Sequence, residues 1–252
     1  MALLVDLASL LTREGKPADA ESCLKQVMTR EPHARVAVGL ISVASSLKNE
    51  RQRDCVERAN CLLRCASEIL QNMPSDDLAE LPGWAISQLL DGGFKQQATN
   101  ICWRMLESSC TNAAWFNEAS WLLATAANPS NRDPSLAVEL AKRSVKLNGD
   151  WNTLGVARYR AGDFKQAIAD LEKCESLAAQ PNVGSSFNYF FMAMAHHRRG
   201  DDTAARRCYE QAIKWMKEHS PQNPELIRFR AEAEALLGPT VQAHAQKQPE
   251  AP

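Results

Sequence analysis

The chain has 252 residues and a formal charge of −1, with 45% apolar and 23% charged residues. This is the composition of an ordinary globular protein with a sizeable core, and its balanced charge predicts neither a nucleic-acid partner nor a membrane partner. No apolar run reaches the roughly 18 residues that a membrane-spanning helix needs. Asp6 interrupts the apolar start, which argues against a signal peptide, so we expect a cytoplasmic location.

The first half of the chain alternates runs of helical apolar spacing with polar turns. This pattern predicts four helical hairpins, near 1–32, 33–73, 78–108 and 113–148. The third turn holds Gly92 and Gly93, which predict the positive φ that reverses a chain between two helices. In the fourth hairpin, Asp133 followed by Pro134 predicts an N-cap with proline at the first helical position.

The second half of the chain predicts two more hairpins, near 149–182 and 186–220, and here a fixed spacing recurs. A bulky ring is followed sixteen positions later by alanine from Trp121, from Trp151 and from Tyr189. Small residues such as Gly155 and Ala193 predict close approach of paired antiparallel helices. One such hairpin cannot bury its apolar face alone, so several hairpins must stack.

These residues resemble the tetratricopeptide repeat, whose pattern is W-x2-L-G-x2-Y, then A-x3-F, then proline. The matching residues are Trp151, Leu154, Gly155, Ala167 and Leu171 in the fifth hairpin, and Tyr189, Met192, Ala193, Ala205, Tyr209 and Ala212 in the sixth. Arg158 and His196 depart from the pattern, because each stands where the family has a tyrosine. Pro181 comes slightly late.

The resemblance implies an all-α, right-handed superhelical solenoid of about six hairpins over residues 1–238. A last helix at 224–237 is expected to cap its open end. Its apolar stripe runs through Leu226, Phe229 and Ala233, and we expect Glu232 and Glu234 to lie on its wet face. Residues 239–252 carry no apolar stripe and are expected to form a disordered tail.

The order of motifs from Trp121 to Gly155 also resembles the C-terminal repeat region of planctomycete proteins. In those proteins the repeats often follow a serine/threonine kinase domain or WD repeats on a longer chain. This chain has no G-x-G-x-x-G, H-R-D or D-F-G motif, so any kinase activity would lie outside it. Two hypotheses therefore stay open, a free-standing scaffold and a C-terminal segment of a larger kinase.

Motifs of catalysis and of metal binding are also missing from the sequence. It has no G-x-S-x-G and no H-E-x-x-H, and the adjacent His196 and His197 would point about 100° apart on a helix. The eight cysteines form no C-x-x-C and are interpreted as small buried side chains. We therefore predict a protein that is not an enzyme and that needs no cofactor and no metal.

The resemblance does imply a binding groove, because the first helix of each family hairpin lines a concave face that holds peptides or helices. Carried over to this chain, the groove residues are Asn152, Val156, Tyr159, Arg160, Phe190, Met194, His197 and Arg198. The lysine that clamps a terminal carboxylate in the best-known grooves is absent. An aromatic floor with an arginine rim suits a protein or peptide partner that carries aromatic and acidic residues. The groove also allows self-association.

An alternative to binding is open for the apolar members of this set. Phe187, Phe190 and Met194 could pack against the terminal helix or against a neighbouring repeat. We expect packing for Phe187 and Phe190, and partner binding for Tyr159 and Arg160, since long polar-tipped side chains are less needed for packing.

Overall fold

The computed structural model describes residues 8, 10–11, 14, 16–28, 34–49, 53–75, 77–148, 151–177 and 186–238. Most of the first helix predicted in hairpin 1–32 and the tail predicted at 239–252 lie outside these ranges. The described ranges hold α-helices and two short 3-10 turns but no strand, which confirms the all-α class. The helices are α1 (Pro17–Met28), α2 (Ala34–Asn49), α3 (Arg53–Asn72), α4 (Trp84–Asp91), α5 (Lys95–Glu107), α6 (Ala113–Thr125), α7 (Pro134–Asn148), α8 (Trp151–Arg160), α9 (Phe164–Leu177), α10 (Ser186–Arg198), α11 (Asp202–His219) and α12 (Pro224–Leu237).

The chain forms two compact units, Met1–Leu147 and Asn148–Pro252. In the first unit α2 packs along α3, α5 packs on both α3 and α4, and α6 packs on α4. Leucines fill the space between α2 and α3, and Leu40, Leu47 and Leu63 are all buried. Helices that contact both earlier and later neighbours form the layered packing of a helical repeat.

Arg104, on the neighbouring helix α5, caps the C-terminal end of α3. The Arg104 guanidinium on α5 donates to the carbonyl oxygens of Leu70 at 2.8 Å, of Gln71 at 3.1 Å, and of Met73. The last carbonyls of a helix have no partner within it. A cation at this end satisfies them and also interacts favourably with the helix dipole.

The turns follow their local chemistry, with one difference from expectation. Gly93 has a φ of 84°, as predicted. Gly92 has a φ of −80° and continues the helical backbone, so the prediction of a positive φ at Gly92 was wrong. The predicted N-cap is confirmed, since the Asp133 carboxylate accepts from the backbone N–H of Leu136 at 3.1 Å. Asp201 caps α11 in the same way, through the backbone N–H of Ala204 at 2.9 Å.

The second unit contains two helical hairpins, α8 with α9 and α10 with α11, followed by α12. The first hairpin closes tightly because Gly155 faces Leu171, and a Cβ at Gly155 would lie 2.5 Å from the Leu171 Cγ. The second hairpin buries Ala193, Ala205 and Ala212. Small residues where the helices cross therefore set the spacing of both hairpins.

The last helix does not repeat the placement of the helices before it. Helix α10 contacts the preceding α9 more extensively than it contacts α8. Helix α12 has the reverse preference, because it contacts α10 more extensively than it contacts its sequence neighbour α11. Since α8 and α10 are the first helices of the two hairpins, α12 lies toward the side that carries the predicted groove residues.

Candidate functional site

Four of the eight predicted groove residues are buried within the second unit. Val156, Phe190 and Met194 have at most 1% of their surface exposed, and Tyr159 has 9%. Burial also raises the pKa of Tyr159, and the nearby cations of Arg160 and Arg198 only partly oppose this. A partner could not reach these side chains without moving the groups that cover them.

The other four predicted residues reach the surface to different extents. Arg198 is exposed, whereas Asn152, Arg160 and His197 are half-buried. The Nδ1 atom of His197 lies 2.7 Å from a carboxylate oxygen of Asp202. The Asn152 amide donates to Asn188. Thus Arg198 is the one member of the set that is classed as exposed.

Arg160 is the residue that links the predicted groove to the last helix. Its guanidinium donates to the Glu232 carboxylate on α12 at 2.6 Å, and the two residues are 72 positions apart in the sequence. The guanidinium carbon also lies 5.0 Å from the ring centroid of Phe191 and 5.7 Å from that of Tyr159. An arginine that stacks on rings and pairs with one carboxylate is a common arrangement at binding interfaces.

An aromatic cluster lies beside this ion pair. The ring of Phe229 on α12 contacts Phe191 at a centroid distance of 4.9 Å and Phe187 at 5.9 Å, both edge to face. Phe191 in turn contacts Tyr159 at 5.3 Å. Edge-to-face pairs at these distances add to the stabilisation from burial alone. Phe187 therefore packs against the terminal helix, as the packing alternative predicts.

A second carboxylate of α12 is held by α11. The Tyr209 hydroxyl donates to the Glu234 carboxylate at 2.6 Å, and the Arg230 Nε donates to the same oxygen at 2.7 Å. Burial acts to raise the pKa of Glu234, but the bonds from Tyr209 and Arg230 outweigh it and hold the pKa below its usual value. Burial, together with the hydrogen bond to Glu234, raises the pKa of Tyr209.

The expectation that Glu232 and Glu234 lie on a wet face holds in part, because their side chains are 26% and 32% exposed while both carboxylates bond to side chains of other helices. Helical spacing separates these residues from the apolar stripe, but it carries no information about side chains that approach from other helices. Arg160 and Tyr209 supply those side chains. We call the residues that α12 contacts, Arg160, Phe187, Phe191 and Tyr209, the helix-receiving surface. Sequence reasoning missed Phe191, which falls on an unassigned position of the family pattern, and it missed the polar role of Tyr209, which that pattern assigns to the core.

Two residues that depart from the family pattern, Arg158 and His196, are half-buried. Arg158 donates to the Asp170 carboxylate at 2.6 Å, inside the α8–α9 hairpin. Burial raises the pKa of Asp170, although the Arg158 cation opposes the shift. His196 takes the equivalent place in the next hairpin, where burial lowers its pKa below the usual value and the Asp201 carboxylate opposes the shift.

Other chemistry is sparse in the part of the chain that the structure describes. No cluster of three or more His, Cys, Asp or Glu side chains suited to a metal ion occurs in the described ranges. Cys55, Cys102, Cys110 and Cys208 are buried as predicted, whereas Cys61 is exposed. Burial raises the pKa of Cys208 to about 11, which keeps it a thiol. Among the described helices, none combines the length and apolar character required to cross a bilayer.

Stacked hairpins with small residues at their crossings define the class of this molecule, a helical repeat protein. Residues 151–181 and 188–219 match the family model described as "Tetratricopeptide repeat". These two matched segments correspond to the hairpins α8–α9 and α10–α11.

A solved structure has a similar fold over almost the whole chain. It is the C-terminal part of a TPR repeat-containing protein from Cytophaga hutchinsonii, with a TM-score of 0.50 and 16% sequence identity. The alignment covers 96% of this chain and 92% of that chain. No curated protein sequence matches the chain. These comparisons support the repeat fold, and they do not extend to the narrower resemblance to planctomycete kinase or WD-repeat proteins.

Proposed function

We propose that the chain is a non-catalytic protein-interaction scaffold, and that the groove side of its two tetratricopeptide repeats holds a peptide or a helix. Repeats of this family generally mediate protein–protein interaction. The observation that carries the proposal is the seating of α12, an amphipathic helix, against Arg160 and Phe191 on that side. The groove side thus already accommodates a helix with an aromatic anchor and a carboxylate.

The chemistry of this side favours a partner that carries acidic and aromatic residues. Arg198 supplies exposed positive charge, the Arg160 cation is paired with Glu232, and the half-buried Phe187 supplies aromatic surface. Charge pairs across such an interface contribute specificity, and the aromatic anchors contribute most of the affinity. We place the eight predicted groove residues in this site, with Arg198 at its exposed rim and Phe190 and Met194 supporting it from below.

Position-specific crosslinking in the native cells tests the proposal. A photoreactive phenylalanine analogue replaces the exposed Arg198 in one full-length variant and the exposed Lys165, on the second helix of its hairpin, in the control variant. We expect a partner protein to crosslink at position 198 and not at position 165. We also expect Arg198→Glu to weaken capture of that partner, because the substitution reverses the charge of the rim and removes no core residue.

Two results would contradict the proposal. Equal crosslinking at positions 198 and 165 would place the contact elsewhere or make it nonspecific. Crosslinks at neither position, in a chain whose circular dichroism shows intact helices, would argue against a partner on the groove side.

A second candidate function is that of a C-terminal repeat segment of a larger serine/threonine kinase. The observation in its favour is the resemblance of Trp121 to Gly155 to such repeat regions. An immunoblot of the native polypeptide separates the two candidates. A product near 27.9 kDa favours the free-standing scaffold, and a much larger product favours the kinase segment.

A further inference from the structure

We infer that the helix-receiving surface is a binding site for external amphipathic helices that repeat the residue pattern of α12, and that α12 occupies the site as a resident helix which such a partner displaces. The inference rests on the proposed function, and it specifies both the partner and the regulation of the same site. Three observations support the inference. They are the spacing of the buried residues on α12, the polar contacts of α12 with other helices, and the capping residues at its two ends.

Helix α12 packs on the helix-receiving surface through a single stripe of apolar residues. Leu226, Phe229, Ala233 and Leu237 are buried, whereas Ile227 is 47% exposed. Relative to the first of them, the buried residues lie at positions i, i+3, i+7 and i+11. Amphipathic helices that bind grooves in other proteins use anchors at this spacing.

The polar contacts of α12 come from two different helices. The α10–α11 hairpin is joined by Phe190, Ala205 and Ala212, which are all buried, and by the Ser186 hydroxyl, which donates to the Ala212 carbonyl oxygen at 2.7 Å. Helix α12 adds to its apolar stripe an ion pair from Arg160 on α8 and a hydrogen bond from Tyr209 on α11. Arginine and aromatic anchors with matched carboxylates are typical of interfaces between proteins, where they set specificity and register.

The ends of α12 make it a self-contained helix. Asn223 caps its start by accepting from the backbone N–H groups of Glu225 at 2.9 Å and Leu226 at 3.1 Å, and Pro224 occupies the first turn. Gly238, with a φ of 65°, ends it. Because these signals are local, α12 can form or leave the surface as one unit without altering the hairpins.

The pattern that a partner must reproduce follows from these contacts. An aromatic residue takes the place of Phe229 between Phe187 and Phe191. A carboxylate three residues later pairs with Arg160, and a second carboxylate, two residues further on, accepts from the Tyr209 hydroxyl. The partner is thus an acidic, aromatic-bearing amphipathic helix.

The test uses the full-length chain and a fluorescent peptide of residues 223–237 as the external helix. One variant, Asn223→Ala in the chain, removes the cap of the resident helix without touching the surface. Its matched control is Asn112→Ala, which removes the cap of α6, where Asn112 accepts from the backbone N–H of Trp115 at 3.0 Å. Loss of such a cap favours release of the resident helix about fivefold, so we expect about fivefold tighter peptide binding to Asn223→Ala. Asn112→Ala should bind the peptide as wild type does.

A charge exchange then identifies the surface. A peptide carrying Glu232→Arg should bind the Asn223→Ala chain more weakly than the wild-type peptide does. Adding Arg160→Glu to that chain should reverse the order, so that the Glu232→Arg peptide binds better. A reversal of preference cannot arise from partial unfolding, which would weaken both peptides alike.

Equal peptide binding to Asn223→Ala and Asn112→Ala would overturn the inference, and so would absence of detectable binding to Asn223→Ala at the highest soluble peptide concentration. An unchanged order of the two peptides on the Arg160→Glu chain would also overturn it. Failure of the proposed function is distinguishable, since it appears as absent or position-independent crosslinking at Arg198. A chain that gives no specific crosslink at position 198 can still bind the peptide. A chain that does give this crosslink can still keep α12 permanently in place.

Discussion

Gly155 and Leu171 lie so close that the backbone of one helix is in contact with the side chain of the next. A Cβ on Gly155 would stand 2.5 Å from the Leu171 Cγ, 2.7 Å from one of its methyl groups and 3.2 Å from the Ala167 carbonyl oxygen. The two distances to Leu171 are shorter than a carbon–carbon contact allows, and the third is a tight contact. The close approach fixes the separation of α8 and α9, and α8 carries Tyr159 and Arg160 of the site.

Gly155→Ala should therefore destabilise the second unit, by about 1–2 kcal/mol. Overpacking costs about 1–3 kcal/mol, and the better helix propensity of alanine offsets up to about 1 kcal/mol of it. Urea denaturation followed by tryptophan fluorescence measures the change. In a double-mutant cycle with Leu171→Ala, the two losses should sum to more than the loss in the double variant, because the smaller side chain makes room. Strict additivity would contradict this explanation.

Arg104→Gln should destabilise the first unit by about 1.5–3 kcal/mol, the usual range for losing hydrogen bonds from a charged group. The substitution leaves the carbonyl groups of Leu70, Gln71 and Met73 without their cation. Hydrogen exchange at the C-terminal end of α3 should accelerate. Arg64→Gln, an exposed change on α3 itself, is the control and should stay within about 0.5 kcal/mol of wild type.

The ion pair of Arg158 and Asp170 predicts how stability changes when one or both charges are removed. Their side chains are 20% and 6% exposed, so Arg158→Leu leaves a carboxylate in the interior and should cost about 3–5 kcal/mol. The double variant Arg158→Leu, Asp170→Leu should recover most of the loss or exceed wild-type stability. Thermal unfolding measures both. A double variant less stable than Arg158→Leu alone would mean that the pair stabilises the hairpin in itself.

His196 predicts a dependence of stability on pH. Burial lowers its pKa in the folded chain, so the unfolded chain binds more protons as the pH falls through the unfolded value of 6.5. Its contribution is present above that pH and is lost as the pH falls through the lower folded pKa. His196→Tyr, which restores the residue of the family pattern, should reduce the loss of unfolding free energy between pH 7.5 and pH 5.5. Identical losses in variant and wild type would show that His196 does not titrate in this way.

Much of the local structure could be predicted from residue patterns. Helical spacing of apolar residues indicated the helical class, and the Asp133 cap and the positive φ of Gly93 were recognisable from short motifs. The contact between Gly155 and its facing helix followed from the resemblance to the repeat. These features depend on neighbours in the chain or within one hairpin, so a sequence carries their signal directly.

The candidate site was harder to predict, because its partners come from distant parts of the chain. Arg160 was recognised as a polar-tipped side chain on the groove side, but its pairing with Glu232 was not. Glu232 and Glu234 sit on the polar side of their helix by spacing, and nothing in that spacing marks an approaching arginine or tyrosine hydroxyl. The two carboxylates keep part of their solvent exposure, and it is their pairing that the spacing could not predict.

The sequence by itself determined the helical class, the hairpin turns, the small residues at helix crossings and the two segments that match the tetratricopeptide repeat. Those features arise from backbone preference and from side-chain size, which act over one or two turns of helix. Only the tertiary structure decided that α12 lies across α10 and reaches Arg160 on α8. That placement depends on the fit of Phe229 among the rings of α10 and on charges 72 residues apart, and no local pattern encodes such a fit.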